Sequence, residues 1–345
     1  KESACRIIDE FHGKVFQYST TNGYAPLRQY IADKYNKNFG LNYTADNVLI
    51  TTGSQQALDL MAKILLNKGD GVIIEEPGYL GAIQAFMMFE PEFYPVTLEH
   101  EGLKLDELEA ALKKGVKFAY TVPNFQNPTG LTYTQERRDA ICELFNKYDT
   151  VLIEDDPYRD LRYQGQALPP IKSYDTTGNV VYLGSFSKLV SPGLRVGYLL
   201  AHEQLLRKCT IGKQGTDLHT PNLNQAIIDQ FLRRDLLDSH VQSIIPGYRE
   251  KLELMLEELS SFPEGTRYTA PEGGLFIFVE MPEGFDATAL FGEAVERGVA
   301  YVPGTHFYPD GGHHNTLRLN FSNSTPEQIH EGMVKLRELF AAHLG

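Results

Sequence analysis

Seven short runs of apolar, β-branched and aromatic residues punctuate the first two hundred positions: "VLITT" from Val48, "GVIIEE" from Gly71, "EFYPVTL" from Glu92, "KFAYTVP" from Lys117, "TVLIEDD" from Thr150, "NVVYLGS" from Asn179 and "RVGYLLA" from Arg195. Most are separated by amphipathic stretches with helical spacing, such as "SQQALDLMAKILLNKG" from Ser54 and "TQERRDAICELFNKY" from Thr134. The first of these reads as a helix with a Ser54 cap and a terminal glycine at Gly69. Near-continuous apolar strands alternating with helices predict an α/β domain with a mostly parallel sheet, whose ligands sit at the carboxyl ends of the strands. From about Leu236 the texture changes. A long helical stretch with one internal proline leads into "RYTAPEGGLFIFVEMP", a helix near Ala287 to Gly298, "VAYVPG", "NTLRLNFS" and a last helix from Pro326. This reads as a smaller α+β domain, and the expected division is 1–240 and 241–345.

Composition narrows the functional classes. A formal net charge of -13 over 345 residues disfavours a nucleic-acid surface, although a few converging cations would still hold a small anion. Three dispersed cysteines with no CxxC suggest neither a disulfide framework nor a zinc site, and suit a reducing cytoplasm. No apolar run reaches membrane-spanning length. The chain opens on Lys1 rather than Met, so further residues are expected upstream.

Against this background Lys188, in "YLGSFSKLVSPGLRVGY", stands out, because an ammonium between two buried strands is costly unless paired, neutralised or used covalently. Pro192-Gly193 forces a turn soon after it, which argues against the helix that an acyl-transfer S-x-x-K motif (Ser185 to Lys188) needs. Four further features accompany the lysine. "TTGSQQAL" places Gly53, Ser54 and Gln55 where a strand becomes a helix, an arrangement suited to an anion. "NFQNPTG" puts Asn127 in a turn after the strand "KFAYTVP". "IEDDPYRDL" ends a strand in Asp155 and Asp156, with Tyr158 three residues after the first acid; Pro157 and the lack of nearby histidines weaken a paired-carboxylate metal site there. Arg318, flanked by leucines in "NTLRLNFS", is either a structural ion pair or a ligand for an anion.

Taken together, and over essentially the whole chain, these residues resemble the fold-type-I aminotransferases that use pyridoxal 5'-phosphate. The similarity is greatest to the 2-aminoadipate and kynurenine aminotransferase group of bacterial lysine-biosynthesis type. It runs through "QYSTTNGYAPLR", "LITTGSQQALDL", "FQNPTG", "EDDPYRDL", "YLGSFSKLVSPGLRVG", "KQGTDLHTPNLNQ" and "TLRLNFS". The resemblance implies the corresponding α/β fold: a large domain with a mostly parallel seven-stranded sheet between helices, and a smaller C-terminal α+β domain. It implies that Lys188 bonds the cofactor aldehyde and then carries the substrate's Cα proton. Asp155 would pair with the pyridine nitrogen, Asn127 and Tyr158 would hydrogen-bond the ring oxygen, and Tyr79 would stack on the ring. Ser54, Gln55, Ser185, Ser187 and Arg195, with the Gly53 turn, would hold the phosphate. Tyr18 would reach the phosphate of a neighbouring subunit, making a homodimer, and Arg318 with Asn127 would bind the substrate carboxylate.

The activity so implied moves an amino group from 2-aminoadipate or an aromatic or branched-chain amino acid to 2-oxoglutarate, with neither nucleic acid nor membrane as partner. The family's glycine-rich N-terminal segment, which closes over the substrate side chain, is not present in the sequence. Two other functions share the fold: a pyridoxal-phosphate lyase or decarboxylase, and the effector-sensing half of MocR-type transcription regulators. Those regulators often lack the asparagine of "NPTG" and carry "DYDSEF" where this chain has "DDPYRDL".

Overall fold

The computed structural model describes residues 1–344. Its main sheet is built, in chain order, from β1 (Val48–Thr51), β2 (Gly71–Glu76), β3 (Glu92–Glu99), β4 (Gly102–Leu103), β5 (Phe118–Thr121), β6 (Val151–Asp155), β7 (Val180–Ser185) and β8 (Gly197–Leu200). The spatial order is β1-β8-β7-β6-β5-β2-β3-β4. The sheet therefore has eight strands rather than the expected seven. The additional one is the two-residue β4, which folds back on β3 through Leu98↔Leu103 and Glu99↔Gly102 and is too short to leave a periodic signal.

Strands β3, β2, β5, β6 and β7 run parallel, and β8 runs against both β7 and β1. The reversal at β8 matters for function. It leaves β1 parallel to β7, so the carboxyl ends of β1, β2, β5, β6 and β7 and the amino end of β8 share one edge. The central strands β5 and β7 are buried throughout, which is why they read as unbroken apolar runs.

Helices α2 (Ala25–Phe39), α3 (Ser54–Leu65), α4 (Leu80–Met87), α5 (Leu105–Leu112), α6 (Gln135–Tyr148), α7 (Glu203–Gln214) and α8 (Asn222–Arg233) surround this sheet, and α1 (Glu2–Phe11) packs outside them on α8. Helix α3 differs from expectation at both ends. Its N-cap is Gly53 at φ 78, and Ser54 is the first helical residue rather than the cap. It stops at Leu65, short of Gly69, because the Asp70 carboxylate accepts the Asn67 N–H at 2.7 Å and closes a turn there.

The long α9 (Leu236–Leu259), with Pro246 inside it, leads to a second, antiparallel sheet of order β11-β12-β10-β9. Its strands are β9 (Arg267–Tyr268), β10 (Phe276–Glu280), β11 (Val302–Pro303) and β12 (Thr316–Asn320), backed by α10 (Ala287–Glu296) and α11 (Pro326–Ala342). One hydrophobic core runs from Leu27 and Ile50 beneath the large sheet to Leu317 and Phe340 in the small one. Among the described residues no helix is long and apolar enough to cross a membrane.

Candidate active site

The shared strand edge opens into a cavity of about 400 Å³ lined by Ser54, Gln55, Tyr79, Asn127, Asp155, Tyr158, Ser185, Ser187, Lys188, Arg195 and Arg318. Of the residues to which the resemblance gives a role, Gly53 and Tyr18 do not line it, and neither does Asp156, the second acid singled out in the sequence. Lys188 sits in the turn between β7 and β8, on no helix, which removes the geometry an acyl-transfer serine would need. Its amine is pushed below the usual lysine range, first by burial and then by the Arg195 and Arg318 cations. No carboxylate contributes to that shift.

The chain leaving the end of β6 delivers the two acids to opposite faces, since Asp156 continues the pairing with β7 through its N–H to the Leu183 carbonyl and successive side chains of an extended backbone alternate. Asp155 faces the cavity. Its Oδ2 accepts the Tyr120 hydroxyl at 2.9 Å, and its buried Oδ1 has no hydrogen-bond partner among the described residues. Burial, and after it the Asp156 and Glu75 charges, raise its pKa to about 7, against the Tyr120 bond and the nearby Ser54 hydroxyl. Asp156 turns away and is saturated, accepting from Asn124 Nδ2 at 2.8 Å, Arg159 Nε at 2.6 Å and the Tyr182 hydroxyl at 3.0 Å. The two carboxylates therefore do not converge, and among the described residues no cluster of three or more His, Cys, Asp or Glu could hold a metal ion.

One end of the cavity is an anion cradle. The first turn of α3 directs free N–H groups toward it, and Ser54 Oγ is buried without a partner. Arg195, at φ 50 where the chain enters β8, lies across the Gly53 turn and donates to Ser187 Oγ and to the Thr52 carbonyl, both at 3.4 Å. A Cβ at Gly53 would come within 2.4 Å of Arg195 Nη2, so the glycine serves the cradle by lacking a side chain. Ser185 Oγ accepts the Ser187 N–H at 3.2 Å and fixes the turn leading to Lys188.

At the opposite end the small sheet contributes Arg318. Its Nη1 donates to Asn127 Oδ1 at 2.8 Å, whereas its buried Nε is unpartnered among the described residues. The guanidinium lies between the Phe276 and Phe307 rings, 4.3 and 5.3 Å from their centroids. Burial lowers its pKa and the nearby Tyr158 and Tyr79 hydroxyls oppose that shift, with no carboxylate alongside. Arg318 is thus a ligand-ready cation, not the structural ion pair that its leucine flanks also allow. Burial pushes the Tyr158 hydroxyl up, and its ring meets Phe276 edge-on. Tyr79 caps α4 and its hydroxyl reaches Gln55 Oε1 at 3.5 Å.

Tyr18 lies away from this cavity, 84 % exposed, with its ring edge-on to His219. Sequence reasoning missed Tyr120, Phe276 and Asn320, which also line the cavity. Tyr120 carries a faint signal, a phenol hydroxyl in an otherwise mostly apolar strand. Phe276 and Asn320 carry none, because they join Arg318 only through the β10 to β12 register, in which Phe276 pairs with Asn320.

The family model for aminotransferases of class I and II matches residues 6–336. Among curated proteins, the chain is 42% identical over 340 residues to a 2-aminoadipate transaminase from Thermus thermophilus, covering 97% of this chain and 84% of that one. It is 40% identical over 339 residues to aromatic-amino-acid aminotransferase 1 from Thermococcus litoralis, covering 96% and 81%. Among solved structures, a kynurenine aminotransferase from Pyrococcus horikoshii, in complex with PMP, superposes with a TM-score of 0.96 at 40% identity, covering 100% of this chain and 87% of that one.

Proposed function

We propose, from the premise that this chain belongs to the class I and II aminotransferases, pyridoxal 5'-phosphate enzymes of fold type I, that its cavity transfers the amino group of 2-aminoadipate or of an aromatic or branched-chain amino acid to 2-oxoglutarate. One observation carries the assignment of roles: three buried polar atoms without partners, Ser54 Oγ, Asp155 Oδ1 and Arg318 Nε, line the same cavity as Lys188. Buried groups of this kind are normally satisfied, so three together call for a ligand. Their chemistry fits a phosphate at Ser54, a protonated ring nitrogen at Asp155 and a carboxylate at Arg318.

When bound, the cofactor supplies an aldehyde that takes up the amino group and a ring that accepts the electrons released at the substrate Cα. The chain's own residues do the rest. Ser54, Gln55, Ser185, Ser187, Arg195 and the α3 N–H groups hold the phosphate. Asp155, buried at the cavity wall, would stand as a carboxylate against a protonated ring nitrogen and keep that proton in place. Asn127 and Tyr158 would donate to the ring oxygen, and Tyr79 would cover the ring. Arg318, braced by Asn127 and two phenyl faces, grips the α-carboxylate in a bidentate pair and so orients the Cα–H bond. Lys188 Nζ, kept easy to deprotonate by burial and two guanidiniums, would take the proton from the substrate Cα and hold it for return.

The same reading assigns residues 1–240 to the cofactor-binding domain and 241–345 to the substrate-side domain, the division falling inside α9. It makes the active form a homodimer in which Tyr18 completes the neighbouring phosphate site, and three free thiols, including the exposed Cys5, suit a cytoplasmic location. Borohydride reduction of the yellow protein followed by peptide mapping tests the core of this proposal. The label is expected on Lys188, and a label on Lys172 or Lys213 would overturn it. Assaying a panel of amino donors against 2-oxoglutarate then ranks the substrates.

A further inference from the structure

Just outside the cavity, Glu75 at the end of β2 and Gln126 in the loop after β5 are both fully buried, and neither lines the cavity. Glu75 Oε1 accepts the Val122 N–H at 2.8 Å and the Tyr133 hydroxyl at 2.6 Å, and Oε2 accepts Gln126 Nε2 at 2.9 Å. Gln126 spends its second amide proton on the Pro77 carbonyl at 2.9 Å. Its Oε1 accepts both the Thr129 N–H at 2.9 Å and the Thr129 hydroxyl at 2.7 Å. Every donor and acceptor site of the Gln126 amide is therefore occupied, and the side chain can sit only one way.

The two segments so joined both end in the cavity. Asn127, which follows Gln126 directly, accepts from Arg318, and Pro77 opens the turn that presents Tyr79. We infer that Glu75 and Gln126 are positioning residues: a buried carboxylate–amide clamp that fixes the Asn127 loop against the Tyr79 turn, and so sets where the substrate carboxylate and the cofactor ring lie relative to each other. No cation neutralises the carboxylate. Burial raises its pKa to about 7, opposed only by the Tyr133, Gln126 and Val122 donors. A buried acid held by neutral donors is costly, and an apolar contact would fill the space as well. What the acid adds is direction, since its two oxygens reach three donors on one loop.

The inference rests on the proposed cofactor site, and the test separates the two. Gln126→Ala removes the clamp, whereas Tyr133→Phe removes one hydrogen bond from the same Glu75 without touching Gln126. On holoenzyme, melting temperature, donor KM, kcat and the pH midpoint of the bound-cofactor absorbance are measured for both. Gln126→Ala is expected to raise donor KM, to lower kcat/KM between about ten- and a hundredfold, the loss that follows when reacting groups are slightly misplaced, and to move the absorbance midpoint. Tyr133→Phe is expected to lower the melting temperature and leave the midpoint where it was. A Gln126→Ala enzyme with native KM and midpoint, or the two variants moving together, overturns the inference. If Gln126→Ala does not fold, Glu75→Gln, which sets one amide nitrogen against another, is read by the same midpoint and KM. A native protein showing no cofactor absorbance would instead sink the proposed function.

Discussion

Two neighbouring acids show what a single residue's surroundings decide. Asp155 keeps an unsatisfied oxygen toward the cavity, and Asp156 spends both oxygens on the scaffold. Asp155→Ala is expected to lose most cofactor affinity and turnover while the apoprotein melts close to the native temperature. Asp156→Ala strands the Arg159 guanidinium, its partner at 2.6 Å in a nearly solvent-free pair, and should cost about 3 to 5 kcal/mol of stability. Cofactor titration and calorimetry on the two variants check this, and the reverse pattern would mean the faces are misassigned. The buried carboxyls also set a pH dependence. Burial lifts Glu75, Glu154 and Asp155 each to about 7. A raised folded-state pKa means that the native state holds protons the unfolded chain releases, so their contribution is complete below about pH 4 and is lost as pH rises through about 7. The apoprotein's melting temperature should therefore fall across that window. Asp155→Asn should flatten the fall, and an unchanged slope would show that Asp155 does not titrate there.

At the scale of an element, the junction of β1 with α3 works because Gly53 has no side chain. Gly53→Ala meets two obstacles, a φ of 78 and the Arg195 guanidinium 2.4 Å from the new Cβ. Gly40, the C-cap of α2 at φ 67, shares the first obstacle and has open space around it. Gly40→Ala should cost stability alone, about 1 to 2 kcal/mol for a left-handed non-glycine residue. Gly53→Ala should in addition weaken binding of the cofactor and of inorganic phosphate, because Arg195 must move out of the cradle. Equal phosphate affinities in the two variants would show that Arg195 does not depend on this close approach.

For the whole molecule, Phe16 and Leu218, neighbours in sequence of Tyr18 and of His219 on which it packs, are also exposed, and the Ser19 N–H docks on His219 Nε2 at 3.3 Å. If this surface meets a second copy, cofactor affinity should drop when the protein is diluted below its dimer dissociation constant. Tyr18→Phe should lower that affinity without changing the association seen by sedimentation. Full cofactor affinity in Tyr18→Phe would remove Tyr18 from the neighbouring site.

Most of the main sheet was written in the order of residues along the chain. Seven strands were legible because buried parallel strands are written as continuous apolar runs, and the cradle, Asn127, Asp155 and Lys188 were legible because each follows such a run at its carboxyl end. The sequence also left Asp155 and Asp156 as a possible pair and Arg318 as either ion pair or ligand. Only the tertiary structure resolved these. Strand alternation sends the two acids to opposite faces, and the β10 to β12 register stacks Phe276 beside Arg318 and brings no carboxylate to it. The structure alone also joined Glu75 to Gln126 across 51 positions. Local periodicity records which side of an element is buried. Which buried groups meet depends on how strands are ordered in space, and that information is spread over the whole chain.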